Sequence, residues 1–174
     1  VQLGKPETHI LGTLLGHPVL ELLSPSLEVC RFWCAAPSFS IRIGEAYVVI
    51  ESDWHDTRDE ALDYHVLAVS RESRPKDIPT SINKRERAII SLPFSSVQIG
   101  APPSPVHSIA VLERKVAGSH ECVRYDAGLL FSLEDGRRFL LIARESIAGG
   151  LQCTTMEREI EEFLAEVKVR TVAR

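Results

Sequence analysis

The stretch from Gly128 to Ala143, GLLFSLEDGRRFLLIA, constrains this chain more than any other. Two apolar runs, Gly128 to Leu133 and Arg138 to Ala143, flank Glu134-Asp135-Gly136. Glycine takes a positive φ at no steric cost, so Asp-Gly between such runs predicts a β-hairpin. A second hairpin reads from Phe39 to Ile50. FSIRI alternates with a period of two, Gly44-Glu45 turns the chain, and the β-branched, aromatic AYVVI returns.

The two hairpins match at a constant offset of 92 residues. Phe39 falls on Phe131, Ser40 on Ser132, Ile41 on Leu133 and Gly44 on Gly136; Tyr47 to Ile50 then fall on Phe139 to Ile142. Fixed-period self-similarity predicts two duplicated strand–hairpin units that share one interior. Further strands are expected at Leu27 to Trp33, Tyr64 to Ser70, Arg87 to Leu92 and Ser108 to Arg114. Gly100-Ala-Pro-Pro-Ser-Pro-Val106 blocks helix and central strand alike. It divides the chain into a first β-rich half (1–100), a Pro-rich joint (101–106) and a second half (107–174), within one compact unit of 174 residues.

The clearest helix lies near the C-terminus. Thr154 and Glu157 form a capping-box pattern, and Met156, Ile160, Phe163, Leu164 and Val167 make one apolar stripe. Glu157, Glu159, Glu161, Glu162 and Glu166 face away from it, and Lys168 to Val172 is read as a last strand. Thr57 to Tyr64 is a weaker helical window, and Pro6 to Leu23 reads equally as a helix or a strand pair. The expected fold class is therefore α+β, mainly antiparallel sheet with a C-terminal amphipathic helix.

Charge and cysteine content narrow the function classes. A net charge of −4 argues against nucleic-acid binding, which rests on a concentrated positive surface. No run reaches the roughly 18–20 apolar residues of a membrane helix. The stretch from Ile10 to Leu23 has neither a basic leader nor a cleavage site, so it is not read as a signal peptide. Cys30, Cys34, Cys122 and Cys153 read as free buried thiols of a cytoplasmic protein; on one strand, Cys30 and Cys34 would stand about 13 Å apart.

Charge is uneven along the chain. Residues 51–63 hold six acids against one base, a net of −5, and residues 71–87 hold six bases against three acids, a net of +3. Within the acidic segment, Asp53, Asp56, Asp59 and Glu60 are candidate steering charges, with Trp54 as a candidate interface anchor. An alternative places Asp53, His55, Asp63 and His65 around a divalent metal in a small metal-dependent enzyme, since each Asp/His pair shares a strand face. A third reading is a structural or assembly module. Ser73-Arg-Pro-Lys76 and Ser81-Ile-Asn-Lys84 match S-x-x-K at chance level, and no nucleophile elbow, dinucleotide fingerprint or Walker A sequence occurs. No cofactor is expected.

In Asp135 to Ser146 (DGRRFLLIARES) and the acidic helix Glu157 to Val167, the C-terminal half resembles the immunity proteins that neutralise bacterial polymorphic toxins. That resemblance covers part of the C-terminal half. It implies a non-enzymatic, cytoplasmic protein that binds a basic toxin domain.

Overall fold

β-Branched and aromatic alternation becomes antiparallel strand along most of this chain. The computed structural model describes residues 1–58, 62–77, 79–83, 88–91, 94–144 and 149–173, with the backbone alone at 79–83, 88–91 and 171–173. The order begins α1 (Lys5–Gly12), β1 (Pro18–Val19), β2 (Glu21–Ser24), β3 (Glu28–Val29), β4 (Cys34–Ala36), β5 (Ser38–Ile43), β6 (Ala46–Asp56) and β7 (Asp63–Glu72). It continues β8 (Pro79–Asn83), β9 (Ala88–Ser91), β10 (Ser95–Gln98), β11 (Ser104–Ala117) and β12 (Cys122–Leu133). Last come β13 (Arg138–Ala143), β14 (Leu151–Thr154), α2 (Glu157–Leu164) and β15 (Lys168–Ala173). Antiparallel strands far outweigh the two short helices among the described residues, so the α+β expectation holds with the sheet dominant.

One curled eight-stranded sheet runs β1–β11–β12–β13–β14–β4–β3, with β15 joining β1 on the outer edge of β11. A five-stranded sheet runs β10–β2–β5–β6–β7, and β8–β9 form a separate pair. The main core lies between the two large sheets. Phe39, Ile41 and Ile50 enter it from the smaller sheet, Ile109, Phe131 and Phe139 from the larger, and Leu11 from α1. The Phe131 and Phe139 rings stack with centroids 4.4 Å apart. Fully burying each such side chain is worth about 1.5–3 kcal/mol.

A second apolar layer covers the outer face of the larger sheet, where Ile160 and Phe163 of α2 pack on Leu112, Tyr125, Leu140 and Ile142. Two-sided burial explains the continuous run RFLLIA. Phe139 and Leu141 face the main core, while Leu140 and Ile142 face the helix. The register shift at Leu112/Glu113 leaves Ala127 as an extra residue on β12, a bulge of the kind that bends a strand and adds twist. Just past it, the buried Asp126 carboxylate accepts hydrogen bonds from the Leu3 N–H and the Arg170 guanidinium, each at 2.7 Å. This clasp ties the N-terminal segment and β15 to β12.

Several expectations are corrected. The 92-residue offset holds on the outgoing strands, where Phe39 and Phe131 both enter the main core, as do Ile41 and Leu133. On the return strands it fails. Phe39 opposes Ile50, whereas Phe131 opposes Phe139, three residues earlier than the offset requires. Val48 therefore packs in the main core, and its sequence counterpart Leu140 packs beneath α2. Strands β1, β3 and β4, from before the Pro-rich joint, belong to the larger sheet beside strands that follow it.

Leu27 to Trp33 is not one strand. A turn closed by the Cys30 N–H donating to the Trp33 carbonyl (2.8 Å) separates β3 from β4. Among the cysteines Cys153 is buried, Cys34 half-buried, and Cys30 and Cys122 exposed. Pro6 to Leu23 holds both readings in succession, a helix and then strands. No helix among the described residues is long and apolar enough to cross a membrane.

Helix α2 starts later than its capping-box pattern suggests. Met156 is the N-cap and makes no side-chain cap bond. Thr154 Oγ1 instead accepts from the Met156 N–H and donates to the Phe32 carbonyl. Glu157 is drawn off to Arg138, which also pairs with Glu161 and so fastens the helix to β13. The guanidinium holds the Glu157 carboxyl below the usual glutamate range, mainly through hydrogen bonding.

Candidate functional site

Most of the candidate residues lie on one ribbon. β5 pairs with β6 only as far as Glu51, so residues 52–56 and 63–67 continue as a two-stranded extension of the smaller sheet. The foot of this extension is held by the turn into β14, where the Gly150 N–H donates to the Ser52 carbonyl (2.8 Å). A Cβ at Gly149, whose φ is +68°, would stand 2.6 Å from that same carbonyl oxygen. Glycine is therefore required for the two segments to close on one another.

Register decides which side chains share a face. Trp54 opposes His65 and Asp56 opposes Asp63, while Asp53 opposes Val66 and His55 opposes Tyr64. Side chains alternate along each strand, and directly opposed residues share a face. Trp54, Asp56, Asp63 and His65 thus take the face that carries Ile50 and Leu67 into the core. Asp53 and His55 take the opposite one.

This arrangement corrects the metal alternative. Asp53 does share a face with His55, and Asp63 with His65, but the antiparallel register puts the two pairs on opposite sides of the ribbon. No group of three or more His, Cys, Asp or Glu able to hold a metal ion occurs among the described residues. His65 is buried, whereas Asp53, His55, Asp56 and Asp63 are exposed. Asp59 and Glu60 lie outside the described residues.

Trp54 is half-buried on the core side of the ribbon, and its indole N–H is sealed from solvent with no acceptor among the described residues. It opposes His65 midway along the ribbon. The His55 and Tyr64 rings stack at 5.6 Å, and Tyr64 leans on Tyr125 of β12 at 6.2 Å. At the tip, the Thr57 N–H donates to the Leu62 carbonyl and the Leu62 N–H to Thr57 Oγ1, both at 3.0 Å. These bonds join the two ends of the connection, while residues 59–61 of the window read as weakly helical or a turn lie outside the described residues. The Arg58 N–H donates to the Glu121 carboxylate at 2.8 Å, joining this tip to the β11–β12 hairpin.

Charge follows from these positions. Glu51, at the root, is neutralised by Lys76 at 3.1 Å. Asp53, Asp56 and Asp63 have no ion-pair partner among the described residues, so both faces of the ribbon present negative charge to solvent.

Sequence reasoning missed the contributions of Glu121, Gly149 and Gly150. The turn that presents Glu121 was signalled by Gly118-Ser-His-Glu121 between two apolar runs, a four-residue hairpin loop containing glycine. Comparison with models of protein families, with curated proteins and with solved structures finds no match to this chain.

Proposed function

We propose that this chain is a non-enzymatic binding protein that offers the β6–β7 ribbon to a basic protein partner, as an immunity protein does to a toxin domain. The observation that carries this reading is the set of uncompensated carboxylates, Asp53, Asp56 and Asp63, on both faces of a ribbon that extends past its sheet. Asp59 and Glu60 add two further charges in the connecting segment. Such a concentration accelerates encounter with a cationic surface and selects against acidic ones. Trp54, half-buried beside these carboxylates, is the interface anchor in this reading. The role is exercised in the cytoplasm.

Co-expression with the protein encoded by the adjoining gene tests the proposal. A stable complex that weakens steeply as salt rises is the expected result, because exposed charges are screened within about 10 Å at 0.1 M. No complex, or one indifferent to salt, would overturn the reading.

A further inference from the structure

The β11–β12 hairpin ends in a cleft of about 740 Å³ whose lining includes Lys115, Val116, Arg124, Tyr125 and Lys168. Its floor is a strand edge. β15 pairs with β11 between Ile109 and Glu113 and goes no further, so residues 114–117 have β12 on one side and, among the described residues, no strand on the other.

The direction of the backbone groups on that edge follows from their neighbours. The Asp126 N–H donates to the Val1 carbonyl and the Arg124 carbonyl accepts from the Val1 amine, so both point away from β11. Glu113–Asp126 and Lys115–Arg124 are therefore non-hydrogen-bonded pairs of the antiparallel ladder. Lys115, and by the same alternation Ala117, turn their N–H and C=O groups outward to the open edge.

Side chains supply a second, independent signal. Lys115 and Arg124 are directly opposed in the pair type that brings side chains closest, and like charges so placed repel. Nearby carboxylates are already engaged: Glu166 with Arg114 at 2.9 Å, and Glu113 with Lys168 at 3.8 Å. Neither Lys115 nor Arg124 has an acidic partner among the described residues. One lysine suffices to protect an edge against self-association, whereas two opposed cations form a seat for negative charge. The other face of the same strands carries Val116 and Tyr125, which belong to the apolar layer under α2.

We infer that this edge takes up an extended peptide of alternating acidic and apolar residues as an added strand. Its backbone bonds Lys115 and Ala117, its acidic side chains face Lys115 and Arg124, and its apolar side chains face Val116 and Tyr125. This edge lies on a different hairpin from the exposed carboxylates Asp53, Asp56 and Asp63 and has the opposite preference.

The test is fluorescence anisotropy on the full chain, with a labelled, end-blocked hexapeptide of alternating glutamate and valine as probe. K115E/R124E is expected to weaken binding about tenfold or more. A117P keeps every charge and is tolerated on an open edge, yet removes one outward N–H; it is expected to cost about fivefold. Urea melts of both variants establish that each is folded, and the Lys115 and Ala117 amide resonances should shift on titration. Equal binding of a threonine–valine peptide, displacement by free glutamate as readily as by unlabelled peptide, or indifference to both variants would overturn the inference.

Discussion

Two long hairpins, β6–β7 and β11–β12, leave the shared core and touch where Tyr64 leans on Tyr125 and the Arg58 N–H donates to Glu121, yet they carry different exposed charges. At their roots they are alike, since Ile50 and Val69 on one and Ile109 and Phe131 on the other fill the same interior. Beyond the core they diverge. One carries Asp53, Asp56 and Asp63; the other sets Lys115 against Arg124. Ladder hydrogen bonds hold the two strands of each ribbon together whatever its side chains are, so the fold places no demand on tip charge. The contrast therefore teaches that root residues answer to packing and tip residues to what approaches from outside.

The largest expected effect is at a root. Phe131→Ala should cost about 3–5 kcal/mol in urea denaturation, because it empties a fully buried ring site stacked on Phe139. Asp126→Ala, between root and tip, should cost about 2–4 kcal/mol, since it orphans the Leu3 N–H and releases Arg170. A smaller cost, about 1–2 kcal/mol, is expected for Gly149→Ala, whose strain falls on the ribbon's foot. Hydrogen exchange should then show faster opening of residues 52–57 than of β12. A global slowdown or speed-up shared by both hairpins would erase the distinction between them.

At the tips, stability should hardly move. K115E/R124E is expected to stay within about 0.5 kcal/mol of the parent, because two like charges are exchanged for two others in the same pair. A loss of several kcal/mol would mean that the edge belongs to the core. The α2 clasp gives the smallest signal and a defined sign with pH. Arg138 lowers the Glu157 pKa in the folded state, so its contribution is present above the ordinary glutamate pKa and is lost as pH falls through the depressed value. Urea midpoints measured downward from pH 6 should fall slightly more for the parent than for Glu157→Gln, by the ~0.5 kcal/mol typical of an exposed pair.

Local pattern made the hairpins legible. Alternation and turn glycines placed β5–β6 and β12–β13, and the Ile160/Phe163 stripe placed the face of α2. Register was not legible. The matched run Tyr47–Ile50 and Phe139–Ile142 suggested equivalent strands, yet the two turns differ in length and Val48 and Leu140 face different layers. The same gap misled the metal reading, which assigned each Asp/His pair to a face without knowing that the faces are opposite. The Lys115–Arg124 opposition, too, exists only once the partner strand is aligned. Charge segregation at 51–63 was visible directly, because it depends on composition and not on pairing.

The ribbon's role is tested most directly by stopped-flow association of the chain with the product of its adjoining gene. Parent and D53K/D56K/D59K/E60K would be compared at 20 mM and 500 mM salt. The variant should associate about 10- to 100-fold more slowly at low salt, with the two rates converging at high salt. Equal rates at both salts, with both proteins folded, would contradict the account.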